Sequence, residues 1–173
     1  MSKGFVVDLK RCIGCKACTA VCKLRYELPE GVSRRSVTTK EFAERPMRYH
    51  ISLACNHCEH PACIPACNQS ALSKDAEGRV VHDASKCIGC RRCEFACPYD
   101  AICYNPVAGK ITKCDACATR EDGPRCVAAC HARALDWVDV DASFTPAAAQ
   151  VVKDGKALLP DPRLTAPHLK VIR

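Results

Sequence analysis

The chain has 173 residues, of which 17 are cysteine and only 5% aromatic, and its formal charge is +7. That length allows one ordinary domain or two very small ones, and roughly one cysteine in ten puts thiols among the scaffold residues. The positive charge does not imply a nucleic-acid partner: no basic run is interleaved with aromatics, and thiolates carried on metal would cancel it.

The first segment, MSKGFVVDLKRC, reads as a strand (GFVVDL) running directly into a cysteine group. It lacks the apolar stretch and small-residue cleavage site of a secretory signal. No stretch approaches the eighteen or so apolar residues that span a bilayer. The expectation is a cytoplasmic protein, or one associated with a membrane through partners, with export beside a signal-bearing partner compatible with the same sequence. The first group is Cys12, Cys15, Cys18 and Cys22, spaced C-x2-C-x2-C-x3-C. Residues 23–54 follow as a charged insertion containing Pro29 and Pro46. The second group is Cys55, Cys58, Cys63 and Cys67, spaced C-x2-C-x4-C-x3-C. Residues 68–86, NQSALSKDAEGRVVHDASK, read as strand, turn at Glu77-Gly78, and strand.

The third group, Cys87, Cys90, Cys93 and Cys97, repeats the first spacing and adds Pro98. A strand, AICYN, carries Cys103, which belongs to no group. The fourth group is Cys114, Cys117, Cys126 and Cys130, spaced C-x2-C-x8-C-x3-C, and ALDWVDV follows it as a strand. From Asp141 onward four prolines and little periodicity argue against a packed domain. Yet Leu158, Leu159, Leu164, Leu169, Val171 and Ile172 are too apolar for a solvated linker, so this tail is expected to lie extended across a partner subunit, with 23–54 as a second interface.

Three chemistries could use so many thiols. A disulfide framework places its cysteines on distant elements in an oxidising compartment; here neighbours stand two or three residues apart and the total is odd. Structural zinc is built from separated C-x2-C pairs, which leaves the third cysteine and the x3-spaced fourth without a purpose. C-x2-C-x2-C-x3-C-P is instead the bacterial ferredoxin run: three thiolates wrap one [4Fe–4S] cluster and the fourth ligates the other cluster of a pair. Gly14 and Gly89 ease the tight turn inside the wrap. Four groups imply four clusters and about sixteen irons. Sixteen thiolates on four cores of about +2 each would bring the charge from +7 to about −1.

The pairing can be argued from the intervening segments. The 68–86 hairpin is the linker of a small two-cluster ferredoxin, whereas 23–54 is not, so the second and third groups form an inner unit and the first and fourth an outer one, with GFVVDL and ALDWVDV as paired edge strands. The expected ligand sets are Cys12, Cys15, Cys18 with Cys130; Cys55, Cys58, Cys63 with Cys97; Cys87, Cys90, Cys93 with Cys67; and Cys114, Cys117, Cys126 with Cys22. A sequential pairing, first with second and third with fourth, stays open on the residues alone. Cys103 reads as a small buried hydrophobe. His57 and His60 read as loop hydrogen-bonding residues rather than iron ligands, and Lys16, Arg91 and Arg92 as solvated charges offsetting a cluster, with contact to a catalytic subunit as the sharper alternative.

The stretches LACNHCEHPACIPAC, KCIGCRRCEFACPYDA, YNPVAGKITKCDAC and CHARALDW resemble the four-cluster iron–sulfur subunits of the molybdopterin oxidoreductase superfamily, most of all the dimethyl sulfoxide reductase type, over roughly residues 4 to 140. The resemblance implies the same nested pairing. It also implies a large partner subunit carrying molybdenum or tungsten on a pterin, and a membrane quinone-reactive subunit or a soluble carrier as the second partner. Asn68 and His131 depart from the family's usual proline, which leaves a backbone N–H free to reach a cluster sulfur. The fold class expected is α+β, two nested bacterial-ferredoxin-like units with an extended C-terminal tail. The outer unit comprises 1–22 and 98–140, the insertion 23–54, the inner unit 55–97 and the tail 141–173. No nucleophile, base and oxyanion constellation can be assembled, so the reading is a non-catalytic electron-transfer subunit; the alternative is a polyferredoxin subunit of a hydrogenase-type complex.

Overall fold

The computed structural model describes residues 2–42, 45–141, 144 and 159–172. In chain order the elements are β1 (Lys3–Asp8), α1 (Ala17–Arg25), β2 (Arg35–Phe42), β3 (Arg45–Ala54), β4 (Leu72–Lys74), β5 (Val80–His82), α2 (Arg92–Ala96), β6 (Ile102–Asn105), β7 (Lys110–Lys113), α3 (Arg125–Ala128), β8 (Leu135–Asp139), a single 3₁₀ turn (Pro162–Leu164) and β9 (Leu169–Ile172). It is a mixed α+β body of short strands and shorter helices, with ferredoxin-like loops between them.

The strands GFVVDL and ALDWVDV do pair, antiparallel, with Phe5 opposite Trp137 and Val7 opposite Leu135. They are not both edges. β9 lies along the other side of β1 in parallel, Phe5 beside Leu169 and Val7 beside Val171, so β1 is the middle strand of three. Near-continuous apolar character suits a strand flanked on both sides, and Phe5 and Val7 are 1% and 0% exposed. The 68–86 stretch forms the expected hairpin, β4 against β5, with Gly78 in the left-handed turn conformation at φ 76° and the Asp75 carboxylate accepting the Glu77 and Arg79 N–H groups. AICYN supplies β6, which pairs antiparallel with β7.

The tail differs from its expected course. Residues 145–158 lie outside the described residues, but 159–172 return to their own chain. Glu59 N–H donates to Ala166 O (2.9 Å), His60 N–H to Thr165 O (3.0 Å) and His168 N–H to Asn56 O (2.9 Å). The Tyr99 and Thr165 hydroxyls meet at 3.0 Å. Leu159, Leu169 and Val171 are buried, while Leu164 and Ile172 are exposed. The physical reason is that three apolar side chains and a free sheet edge find enough surface on this chain: each buried Leu or Val contributes about 1.5–3 kcal/mol.

The 23–54 segment likewise enters the body. β2 and β3 form an antiparallel hairpin with Ser36 opposite Leu53 and Val37 opposite Ser52, and Arg35, Ile51, Ser52 and Ala54 are all buried. Cysteines make up much of what a conventional core would fill with aromatics: Cys18, Cys55, Cys63, Cys93, Cys114 and Cys126 belong to one cluster of buried residues with Phe5, Leu135 and Leu169.

Candidate metal centre

Each cysteine group sits on a loop bent by left-handed residues. In the first, Gly14 (φ 69°) and Lys16 (φ 59°) adopt this conformation; in the third, Gly89 (φ 72°) and Arg91 (φ 63°) stand at the same two positions. The second and fourth groups use His57 (φ 46°) and Ala116 (φ 55°) at the place glycine holds in the others. A left-handed residue two positions after the first cysteine is therefore common to all four loops. Such a bend turns successive side chains and N–H groups toward one centre. In three loops a short helix follows and carries further thiols inward. Cys18 and Cys22, four residues apart in α1, share one buried face.

The thiols gather across groups. Burial pushes the Cys12 thiol above its ordinary value, and Cys18, Cys130 and Cys15 push it further. Cys12, Cys15, Cys18 and Cys130 also line one cavity, with Val37, Ser52 and Leu135 among its walls. Burial, then Cys126 and Cys117, push Cys22 up to about 11. Cys58 is pushed up to about 11 by burial, with Cys55 and Cys97 adding to it. Cys63 rises to about 12 through burial, Cys55, Cys97 and Cys58. Cys93 rises to about 11 through burial, Cys67 and Cys87. Several of these influences run between groups, among them Cys130 on Cys12, Cys126 and Cys117 on Cys22, and Cys67 on Cys93. The first and fourth groups also meet electrostatically at Cys18 and Cys126, and the second and fourth at Cys55 and Cys114.

Thiols held this way fit a cluster. Crowded, buried thiolates are costly alone, and cationic iron cores remove that cost by binding them. Among the described residues no group of three or more His, Cys, Asp or Glu is suited to a single metal ion; thiolates on the corners of a multi-iron core stand further apart than the ligands of one zinc. Backbone donors also face the sulfurs. Ala71 N–H reaches Cys67 Sγ (3.3 Å), Ala116 N–H reaches Cys114 Sγ (3.3 Å) and Ala134 N–H reaches Cys130 Sγ (3.2 Å). At Cys67 and Cys130 the donor is thus the fourth residue on, not Asn68 or His131, both of which are exposed.

Cys103 is half-buried, its Sγ facing Tyr104 O at 3.6 Å. His57 is 1% exposed and accepts the Val80 N–H at Nδ1 (3.1 Å), while His60 is exposed. Lys16, Arg91 and Arg92 are exposed, and Arg91 pairs with Glu94 at 2.7 Å. Three site residues were not legible as such. Asp115 locks the fourth loop to the first: it accepts from Tyr26 Oη (2.5 Å), from Arg34 Nη1 (3.4 Å) and from the Cys117 N–H (2.9 Å). Lys113 is buried and donates to Val80 O and, at 2.6 Å, to Cys114 O. Arg35 is a second buried cation, 2% exposed. No spacing rule marks these three, because each acts through contacts between distant segments.

Tight left-handed loops, buried convergent thiols and N–H groups aimed at sulfur define a class, the ferredoxin-like [4Fe–4S] proteins. Residues 47–140 match the family model described as a 4Fe-4S dicluster domain, and residues 9–27 match a 4Fe-4S binding domain. The B subunit of anaerobic dimethyl sulfoxide reductase from Escherichia coli (strain K12) is 42% identical over 153 residues, 80% of this chain and 74% of that one. The B subunit of the same reductase from Haemophilus influenzae is 38% identical over 182 aligned positions, 97% of this chain and 87% of its own. The thiosulfate reductase electron transfer subunit of Salmonella typhi is 38% identical over 144 residues, covering 79% of this chain and 75% of the relative. The chain belongs to this 4Fe-4S dicluster family of iron–sulfur reductase subunits.

Proposed function

We propose that the chain relays single electrons through four [4Fe–4S] clusters between a molybdopterin catalytic subunit, holding molybdenum or tungsten, and an external electron donor or acceptor. The observation that carries this reading is that thiols of one group push up the pKa of thiols in another, Cys130 acting on Cys12, Cys126 on Cys22 and Cys67 on Cys93, with further influences of Cys18 on Cys126 and Cys55 on Cys114. Those last two influences favour an order in which the Cys12 set neighbours the Cys114 set, which neighbours the Cys55 set, with the Cys87 set beyond it through the inner pair. On this reading residues 1–22 and 98–140 form the outer unit, 55–97 the inner one, and 23–54 a hairpin wedged between them.

The clusters supply reversible one-electron storage; the protein's part is to hold them apart from water and in sequence. The two ends reach the surface. Cys15 and Cys90 are exposed, beside Ile13 at 67% and Ile88 at 66% exposure, with Phe95 at 79% near the second. Exposed apolar side chains around a redox group suit docking faces, one for the catalytic subunit and one for a quinone-reactive subunit or soluble carrier. Among the described residues no helix is long and apolar enough to cross a membrane; membrane association is assigned to the partner. The relatives' names include dimethyl sulfoxide, thiosulfate and tetrathionate reductases; on this reading the substrate belongs to the catalytic partner.

Metal analysis of the native complex, purified anaerobically through this chain, tests the proposal. About sixteen irons per chain with about one molybdenum or tungsten on a large partner is the expected result. The same iron in an intact complex without either metal would replace it with a hydrogenase-type polyferredoxin.

A further inference from the structure

Arg35 is the most deeply buried charged side chain of the described residues, 2% exposed. Its guanidinium carbon stands 4.3 Å from the centre of the Phe5 ring. Nη1 donates to Ser52 Oγ at 3.1 Å and to Ser52 O at 3.4 Å, and Ser52 Oγ in turn lies 3.3 Å from Cys18 Sγ. Nε and Nη2 are buried and make no regular hydrogen bond among the described residues, although the guanidinium faces the Cys126 thiol and helps hold its pKa down against burial; none of the ion pairs found there joins Arg35 to a carboxylate. The groups that surround it are thiols: Cys126, Cys114, Cys18 and Cys22 all favour its charged form, against burial, which alone would push it down.

A buried guanidinium without counter-ion is costly unless negative charge stands close by. Here the negative charge the site can supply is that of thiolates and the clusters they bind. The four thiols belong to two of the proposed sets, Cys18 to one, and Cys22, Cys114 and Cys126 to another. Nε and Nη2 are the donors that Arg35 would have to offer the sulfur of a bound cluster. We infer that Arg35 is the fixed counter-charge shared by the Cys18-bearing and Cys126-bearing clusters, and that it raises the reduction potential of both. This rests on the ligand sets proposed above.

The sign follows from charge balance. Each reduction adds one electron to a cluster, with no bond made or broken at Arg35 and no proton moved there. A fixed positive charge stabilises the reduced, more negative state, so the potential rises; net charge and hydrogen bonds to sulfur are the established levers on it. Because thiols of both sets act on Arg35, it lifts two neighbouring stations together and keeps the step between them small. Ser52 passes part of the effect to Cys18 alone.

The test is a redox titration of the anaerobically loaded full chain, followed by low-temperature EPR. Iron content and the signals altered in Cys18→Ser and Cys126→Ser come first. Markedly fewer irons than about sixteen, or both substitutions altering the same signal, would overturn the ligand sets and this inference together. With the sets intact, Arg35→Met is expected to lower the potentials of those two clusters. At a fixed poise their reduced-to-oxidised ratio should fall about tenfold or more, which is about 59 mV for a one-electron couple. The other two should hold, and Arg35→Lys, which keeps the charge, should retain most of both. If Arg35→Met fails to load, Ser52→Ala decides, with a smaller fall expected at the Cys18-bearing cluster only. Four unmoved potentials in whichever of these two variants loads would overturn the role of Arg35 while leaving the ligand sets standing.

Discussion

Gly89 and Gly14 stand at equivalent places in the third and first cysteine loops, yet they are not equally constrained. Both have positive φ, so any side chain there costs about 1–3 kcal/mol in backbone strain. A Cβ at Gly89 would also collide with the backbone oxygen of Gly109, which cannot swing aside. At Gly14 the obstacle is the His50 ring, 2.5 Å away at its nearest atom, and a side chain can turn. Gly89→Ala is expected to destabilise the loaded protein by about 2–4 kcal/mol, and Gly14→Ala by about 1–2 kcal/mol. Denaturant unfolding under anaerobic conditions measures both; equal losses would show that the Gly109 contact relaxes. Glycines in C-I-G-C were legible because spacing announces the loop. Arg35 was not. In GVSRRSV two adjacent arginines alternate sides of a strand, and nothing in the stretch says which side faces the thiols.

At the scale of elements, the returning tail is the strap that closes the second cysteine loop. His168 lies within it, 6% exposed, with Nε2 3.4 Å from Glu59 Oε2 and Nδ1 unpartnered among the described residues. Burial lowers its pKa below the ordinary histidine value; Glu59 opposes this in part and Lys74 reinforces it. The folded strap thus resists a proton that the released strap accepts at about 6.5. Its contribution is full above that pH and is lost as pH falls toward the lower folded value. Hydrogen exchange at the Glu59 and His60 amides, which donate to Ala166 and Thr165, should therefore quicken between about pH 7.5 and pH 5.5 beyond the intrinsic pH dependence. His168→Asn should flatten the change, and an unaltered profile in that variant would assign it elsewhere. The strap was illegible because LKVI is too short, and too close to Pro167, for its pattern to say where it pairs. The apolar residues were recognised as needing cover; what covers three of them is this chain.

Over the whole molecule, charge changes sign with loading. The cluster-free chain carries a formal +7 and a pI near 8.7, whereas four loaded sets bring it to about −1. Isoelectric focusing under anaerobic conditions should place the loaded chain below about pH 7, and a loaded chain focusing near its sequence value would contradict four clusters. The cysteine groups, the 68–86 hairpin and the β1–β8 pair were all legible, since each rests on local spacing or a strongly apolar run. The 23–54 hairpin was not, because its charged surface hides four inward positions, Arg35, Ile51, Ser52 and Ala54.

The middle place of β1 has a consequence in time. Its antiparallel partner begins at Leu135 and its parallel partner at Leu169. At about 5–20 residues per second of synthesis, some 130 residues take roughly 6 to 26 s. Through that interval the strand bearing Phe5 and Val7 leaves the ribosome with neither neighbour yet made, an apolar segment waiting for both its sides. The inner cysteine groups and their hairpin lie only tens of residues apart and can close well before it. The outer sheet can form only after the inner pair, so whatever guards the nascent chain has a long task at the strand bearing Phe5 and Val7.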